Sequence, residues 1–99
     1  MSTKNIIKLI EYPKEGILSK TIFKDSKVDI TLFCMAPKTD MGEHTSSRQA
    51  IVQVIEGKGM FNLEGQDIVM EKGVIINMSK NALHSLSAEE KTSFLLILI

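Results

Sequence analysis

The chain has 99 residues, 43% of them apolar, a length and composition suited to one globular domain over 1–99 and too short for a second. Lysine and arginine balance aspartate and glutamate at 12 against 12, which removes the charge excess that nucleic acid or an anionic membrane surface would attract. The one cysteine, Cys34, excludes an internal disulfide and reads as a buried small hydrophobe in a reducing compartment.

In chain order, the stretch Met1 to Ile10 lacks a long apolar core with a cleavage site, so no signal peptide is expected, and Ile6–Ile10 reads as a first strand. Leu18–Lys24 reads as a second. Val28 to Ala36 sets Val28, Ile30, Leu32, Cys34 and Ala36 against Asp29, Thr31, Phe33 and Met35, a period of two that predicts a strand with one mainly buried face. Pro37 to Gly42 reads as a turn leading into Gly42-Glu43-His44. Further strands are predicted at Ala50–Ile55, Met60–Leu63, Ile68–Met70, Val74–Asn77, Leu83–Ser87 and Ser93–Ile99.

Turn residues separate these segments, among them Asp25-Ser26, Glu64-Gly65 and Lys72-Gly73. Gly57-Lys58-Gly59 reads as a hairpin turn, since no helix follows to make it a phosphate loop. Short strands at this spacing predict an all-β sandwich or barrel. The last segment is apolar on both faces, so one face is expected to line the interior and the other to pack on a second sheet or a partner subunit, which points to a homodimer. The longest apolar run, Phe94–Ile99, is too short to span a membrane, and the cytoplasm is the expected location.

Two histidines, His44 and His84, stand forty residues apart. A neutral imidazole can ligate a transition metal or exchange a proton near neutral pH, so two of them meeting in one barrel would matter. The segments GEHTSSRQAIVQVIEGKG (Gly42 to Gly59) and GVIINMSKNALH (Gly73 to His84) resemble the two motifs of the cupin superfamily. Anchored on Gly57 and Gly73, the resemblance puts His44 on the first histidine of the family's first motif and His84 on the histidine of its second. It implies a double-stranded β-helix of jelly-roll type, with a pocket at the two histidines and a divalent iron, zinc, manganese or nickel ion as possible cofactor.

Departures from the motifs fall on the ligands. Ser46 stands where the second histidine is expected and Ala50 where the glutamate is expected. Lys38 and Asn81 replace glycines, Ser79 a proline and Ala88 an asparagine. Two protein ligands are fewer than a catalytic divalent site usually retains. Gln49 could substitute only if a bulge turned it inward, and Glu43 only if its loop folded back.

Counting in twos from His44 puts Ser46, Arg48, Ala50, Val52 and Val54 on the cavity side, with Gln49, Ile51, Gln53 and Ile55 outward. The expected pocket has a mouth of His44, Ser46, Arg48 and His84 above walls from Val52, Val54, Leu86 and Phe94 or Leu96. An inward Arg48 would clamp a carboxylate or phosphate. Six scattered methionines, Met1, Met35, Met41, Met60, Met70 and Met78, read as core filling. Three functions stay open: metal-independent binding of a small molecule, anionic or sugar-like; a metal-dependent dioxygenase, isomerase or lyase; and metal-free acid–base catalysis.

Overall fold

The computed structural model describes residues 2–99; Met1, counted above among the methionines, lies outside them. One helical turn, α1 (Ile6–Leu9), precedes nine strands: β1 (Ile17–Lys24), β2 (Asp29–Met35), β3 (Asp40–His44), β4 (Ala50–Glu56), β5 (Lys58–Leu63), β6 (Gln66–Glu71), β7 (Ile75–Met78), β8 (His84–Ala88) and β9 (Thr92–Leu98). All pairings are antiparallel, in a five-stranded sheet ordered β1-β2-β9-β4-β7 and a four-stranded sheet ordered β3-β8-β5-β6. This is the all-β architecture that strand spacing predicts, in the jelly-roll form that the resemblance implies.

The inner faces of the two sheets enclose the main core, which includes Met35, Val52, Val54, Phe61, Met70 and Phe94. Alternation along β4 delivers this directly: Ala50, Val52 and Val54 are buried while Ile51, Gln53 and Ile55 turn outward. Both faces of β2 are used. Phe33 and Met35 enter the main core, whereas Leu32 and Cys34 point to the other side of the sheet and form a second cluster with Ile22.

That second cluster is roofed by the N-terminal segment. Ile6, Leu9, Ile10 and Tyr12 pack on it together with Leu95 of β9, so part of the outer face expected to meet a second sheet or a subunit meets the chain's own N-terminus. Tyr12 fastens the segment: it donates its hydroxyl hydrogen to Glu56 Oε1 at 2.7 Å and lies 3.1 Å from Ser93 Oγ. Residues Ile6 to Leu9 are therefore helical and not the predicted strand. Asn5 caps the turn by accepting from the Lys8 N–H at 3.3 Å, and the spacing of Ile6, Leu9 and Ile10 turns three apolar side chains to one side.

Two further expectations are corrected. Asp40 to His44 is strand throughout, although Pro37 to Gly42 reads as a turn and Gly42-Glu43-His44 as a passage from loop to strand, because its exposed polar residues carry no alternating apolar signal and its extension comes from pairing with β8. Gly57-Lys58-Gly59 is not a hairpin turn, since β4 and β5 belong to different sheets and the chain crosses between them here. Gly57 has φ +116°, and a Cβ there would strike the Lys91 carbonyl and Thr92. Among the described residues no helix is long and apolar enough to cross a membrane.

Candidate functional site

His44 ends β3 and His84 begins β8, and the two are partners in the antiparallel register, beside an irregularity between Met41 and His44. Their rings meet edge to face with centroids 4.1 Å apart. His84 is 6% exposed and its ring lies nearly parallel to Phe61 at 5.8 Å, while His44 is open to solvent. One imidazole is thus fixed in the barrel and the other stands at its mouth.

Both rings are oriented by the same device. His44 Nδ1 lies 2.6 Å from the Gly42 carbonyl oxygen, and His84 Nδ1 lies 2.9 Å from that of Ala82. A carbonyl oxygen only accepts, so each Nδ1 carries the hydrogen and each neutral ring presents an Nε2 lone pair. Among the described residues neither Nε2 makes a hydrogen bond, and no buried side-chain nitrogen or oxygen lacks a partner, so His84 Nε2 is an atom that solvent can reach.

The cavity at these rings has a volume of about 30 Å³. Val52, Leu86, Phe94 and Leu96 form its walls as the sequence predicts, whereas buried Val54 does not line it. Phe33, Met41, Phe61 and Met78 complete the lining and were not foreseen; only the apolar inward phase of their strands could have marked them. Pockets for organic ligands run from roughly 300 Å³ upward, while a space of roughly 10–15 Å³ by this kind of measure already admits one water. The enclosed space is thus small, with room for an ion or a very small molecule, and it opens toward the exposed His44.

Neither Ser46 nor Arg48 is brought into the cavity lining. The count in twos holds along β4 but fails for these two, because residues 45–49 form a loop between β3 and β4. Ser46 Oγ accepts from the Arg48 N–H at 3.2 Å. The Arg48 guanidinium donates to the backbone carbonyls of Lys27, Leu98 at 3.3 Å and Ile99 at 3.4 Å, which ties the hairpin between β1 and β2 to the end of β9. Its Nε and Nη2 donors are spent on the fold.

The residues present do not fit the divalent ion that the jelly-roll resemblance implies. Ala50 points inward but ends in a methyl group, and Gln49 faces outward, donating to Asn77 Oδ1 at 3.1 Å. Among the described residues no group of three or more histidine, cysteine, aspartate or glutamate side chains is placed to hold a metal. Two imidazoles without a carboxylate fall short of the three side chains that catalytic divalent sites retain.

A larger concavity, about 400 Å³, lies on the outer face of the four-stranded sheet, where Asp40, Glu43, Asn62, Asp67, Ser85 and Ser87 gather. Asp40 and Glu43 line this concavity and not the one at the histidines, so Glu43 is not placed to complete the His44 and His84 set.

Comparison with known proteins agrees with this architecture. The profile of the Cupin domain family matches residues 31–99. None of the curated proteins matches the chain. A conserved Streptococcus pyogenes protein of unknown function superposes with a TM-score of 0.88 at 21% identity, over 99% of this chain and 86% of its own. A cupin 2 conserved barrel domain protein from Leptotrichia buccalis gives 0.89 at 26% identity, covering 97% of this chain and 47% of the other. A salicylate 1,2-dioxygenase mutant from Pseudoaminobacter salicylatoxidans gives 0.79 at 18% identity, covering 84% of this chain and 26% of the other. With the family profile spanning most of the strands and the jelly roll in place, this chain belongs to the cupin domain family.

Proposed function

We propose that this cupin binds one small ligand between the Nε2 atoms of His44 and His84, and that the ligand is a cation or a hydrogen-bond donor. The observation that carries the reading is the pair of Nδ1–H bonds to the Gly42 and Ala82 carbonyls, which leaves two acceptors facing the site. The site offers no donor in its neutral form, and Arg48 is engaged elsewhere. Carboxylates and phosphates are therefore the wrong class of ligand, in contrast to the anionic ligand that an inward Arg48 would imply.

Nitrogen-15 correlation spectra of the histidine rings test this. Ammonium, metal cations or small neutral donors should shift both Nε2 resonances, and acetate or phosphate should leave them in place at a pH where the rings are neutral. The opposite pattern overturns the reading.

A metal-dependent dioxygenase, isomerase or lyase using His44 and His84 is the competing function, supported by the tautomer that a metal-binding imidazole also needs. Expression with iron, zinc, manganese and nickel followed by elemental analysis separates the two: one divalent ion per chain favours the enzyme. Metal-free acid–base catalysis has less support, because each histidine is oriented by a carbonyl and not by a carboxylate.

A further inference from the structure

Two of the four unforeseen lining residues are methionines. Met41 belongs to β3, three residues before His44, and Met78 ends β7. Met78 is the cross-strand partner of Ala50, the position at which the resemblance leads one to expect a glutamate. Where a carboxylate is missing, a thioether thus stands on the adjoining strand and reaches the cavity that the two imidazoles share.

We infer that this cavity is a site for a soft monovalent cation, Cu(I), held by Nε2 of His44 and His84 and by the thioether sulfurs of Met78 and Met41. The inference rests on the proposed role of the histidine pair and gives its ligand a chemical class. Charge selects the ion first. All four donors are neutral, and the other lining side chains are aliphatic or aromatic, so a divalent ion would sit in apolar surroundings with no anion to balance it.

Ligand type and geometry point the same way. Imidazole serves several metals, but thioethers favour Cu(I), and the lining carries no carboxylate or thiolate to favour iron, manganese or zinc. Cu(I) has a filled d shell, so two imidazoles and one or two sulfurs can bind it without imposing a strict polyhedron. A volume of about 30 Å³ leaves ample room for the bare ion. The inward methionines serve as core filling as well, and substitution separates that role from ligation.

The test is anaerobic titration of metal-free protein with Cu(I) in competition with a chromophoric Cu(I) chelator, and with Zn(II) in parallel. One Cu(I) per chain is expected, bound at least tenfold more tightly than Zn(II). Met41→Leu combined with Met78→Leu, a swap that cores tolerate because volume is conserved, should weaken Cu(I) about tenfold or more while the circular dichroism spectrum is unchanged. X-ray absorption at the copper edge should show sulfur scattering in the wild type and none in the double variant. Absence of Cu(I) binding, equal or tighter binding of Zn(II), or a double variant that binds Cu(I) as well as wild type overturns the inference. His44→Ala and His84→Ala distinguish the two levels: lost Cu(I) binding in these variants but not in the methionine variant leaves the histidine pair standing and removes the soft site, whereas unchanged binding in every variant removes both.

Discussion

His44 and His84, partners across two antiparallel strands, face each other edge to face at 4.1 Å while each gives its Nδ1 hydrogen to a carbonyl two residues earlier in its own chain. The tautomer is a measurable consequence. Long-range nitrogen-15 spectra at alkaline pH should show both rings protonated at Nδ1 and bare at Nε2. An Nε2–H signal from either ring would contradict the carbonyl bonds and the acceptor character of the site.

Arg48 holds backbone, not ligand. Arg48→Ala should lower unfolding stability by about 1–2 kcal/mol, the scale of a few partly exposed charge-assisted hydrogen bonds. Urea denaturation checks the first half of this expectation, and unchanged ligand-induced shifts at the two histidines check the second. A variant with native stability and impaired binding would return Arg48 to the pocket.

Tyr12 is the chain's one tyrosine, so absorbance at 295 nm reports on it alone. Burial of the ring against the sheet, aided by the hydrogen bond to Glu56 and opposed by that from Ser93, pushes its phenol well above the ordinary range. Folding thus favours the protonated form. The stability linked to it is fully present below the unfolded value of about 10 and is lost as pH rises above that value. Phenolate absorbance should stay absent at pH 10.5 in the folded protein and appear at that pH in urea, and Tyr12→Phe should flatten the alkaline fall in stability.

Lys38 sits at φ +63°, in the left-handed region. Its N–H donates to the Ala88 carbonyl at 2.8 Å, which glycine would preserve. Lys38→Gly should stabilise the protein by about 0.5–1 kcal/mol, the strain relieved less the added freedom of the unfolded chain. Thermal denaturation decides, and a loss of stability would show that the lysine side chain earns its place by contacts.

Outside the N-terminal roof, Ile51 and Ile97 pair across β4 and β9 on the outer face, and Ile75 on the edge strand β7 is 64% exposed. A homodimer formed through these isoleucines remains the proposed assembly. Light scattering should give twice the chain mass, with Ile75→Lys shifting it toward the monomer; a monomeric wild type would remove the proposal.

The strands that alternate or run apolar, β1, β2 and β4 to β9, were legible because burial writes a period of two or a solid apolar run into the sequence. β3 was not, since its residues other than Met41 are exposed and its extension is imposed by β8. The segment Ile6–Ile10 is apolar at four of five positions and fits either period, and only the Asn5 cap distinguishes a turn of helix. At the site, motif spacing located both histidines. Counting in twos turned Gln49 outward, as it is, but could not locate Ser46 or Arg48, which lie in the loop at 45–49. Phe33 was concealed differently: β2 buries both faces, and the side that enters the barrel also carries Asp29 and Thr31.

The roof over the second cluster makes the molecule its own reporter. Cys34 is the chain's one thiol, fully buried beneath Ile6, Leu9, Ile10 and Tyr12 on the side of the sheet opposite the histidines. A thiol reagent can reach it when that segment lifts, even while the barrel core stays closed. The rate of labelling therefore counts departures of the N-terminus from the sheet, a clock for one local opening that needs no engineered probe.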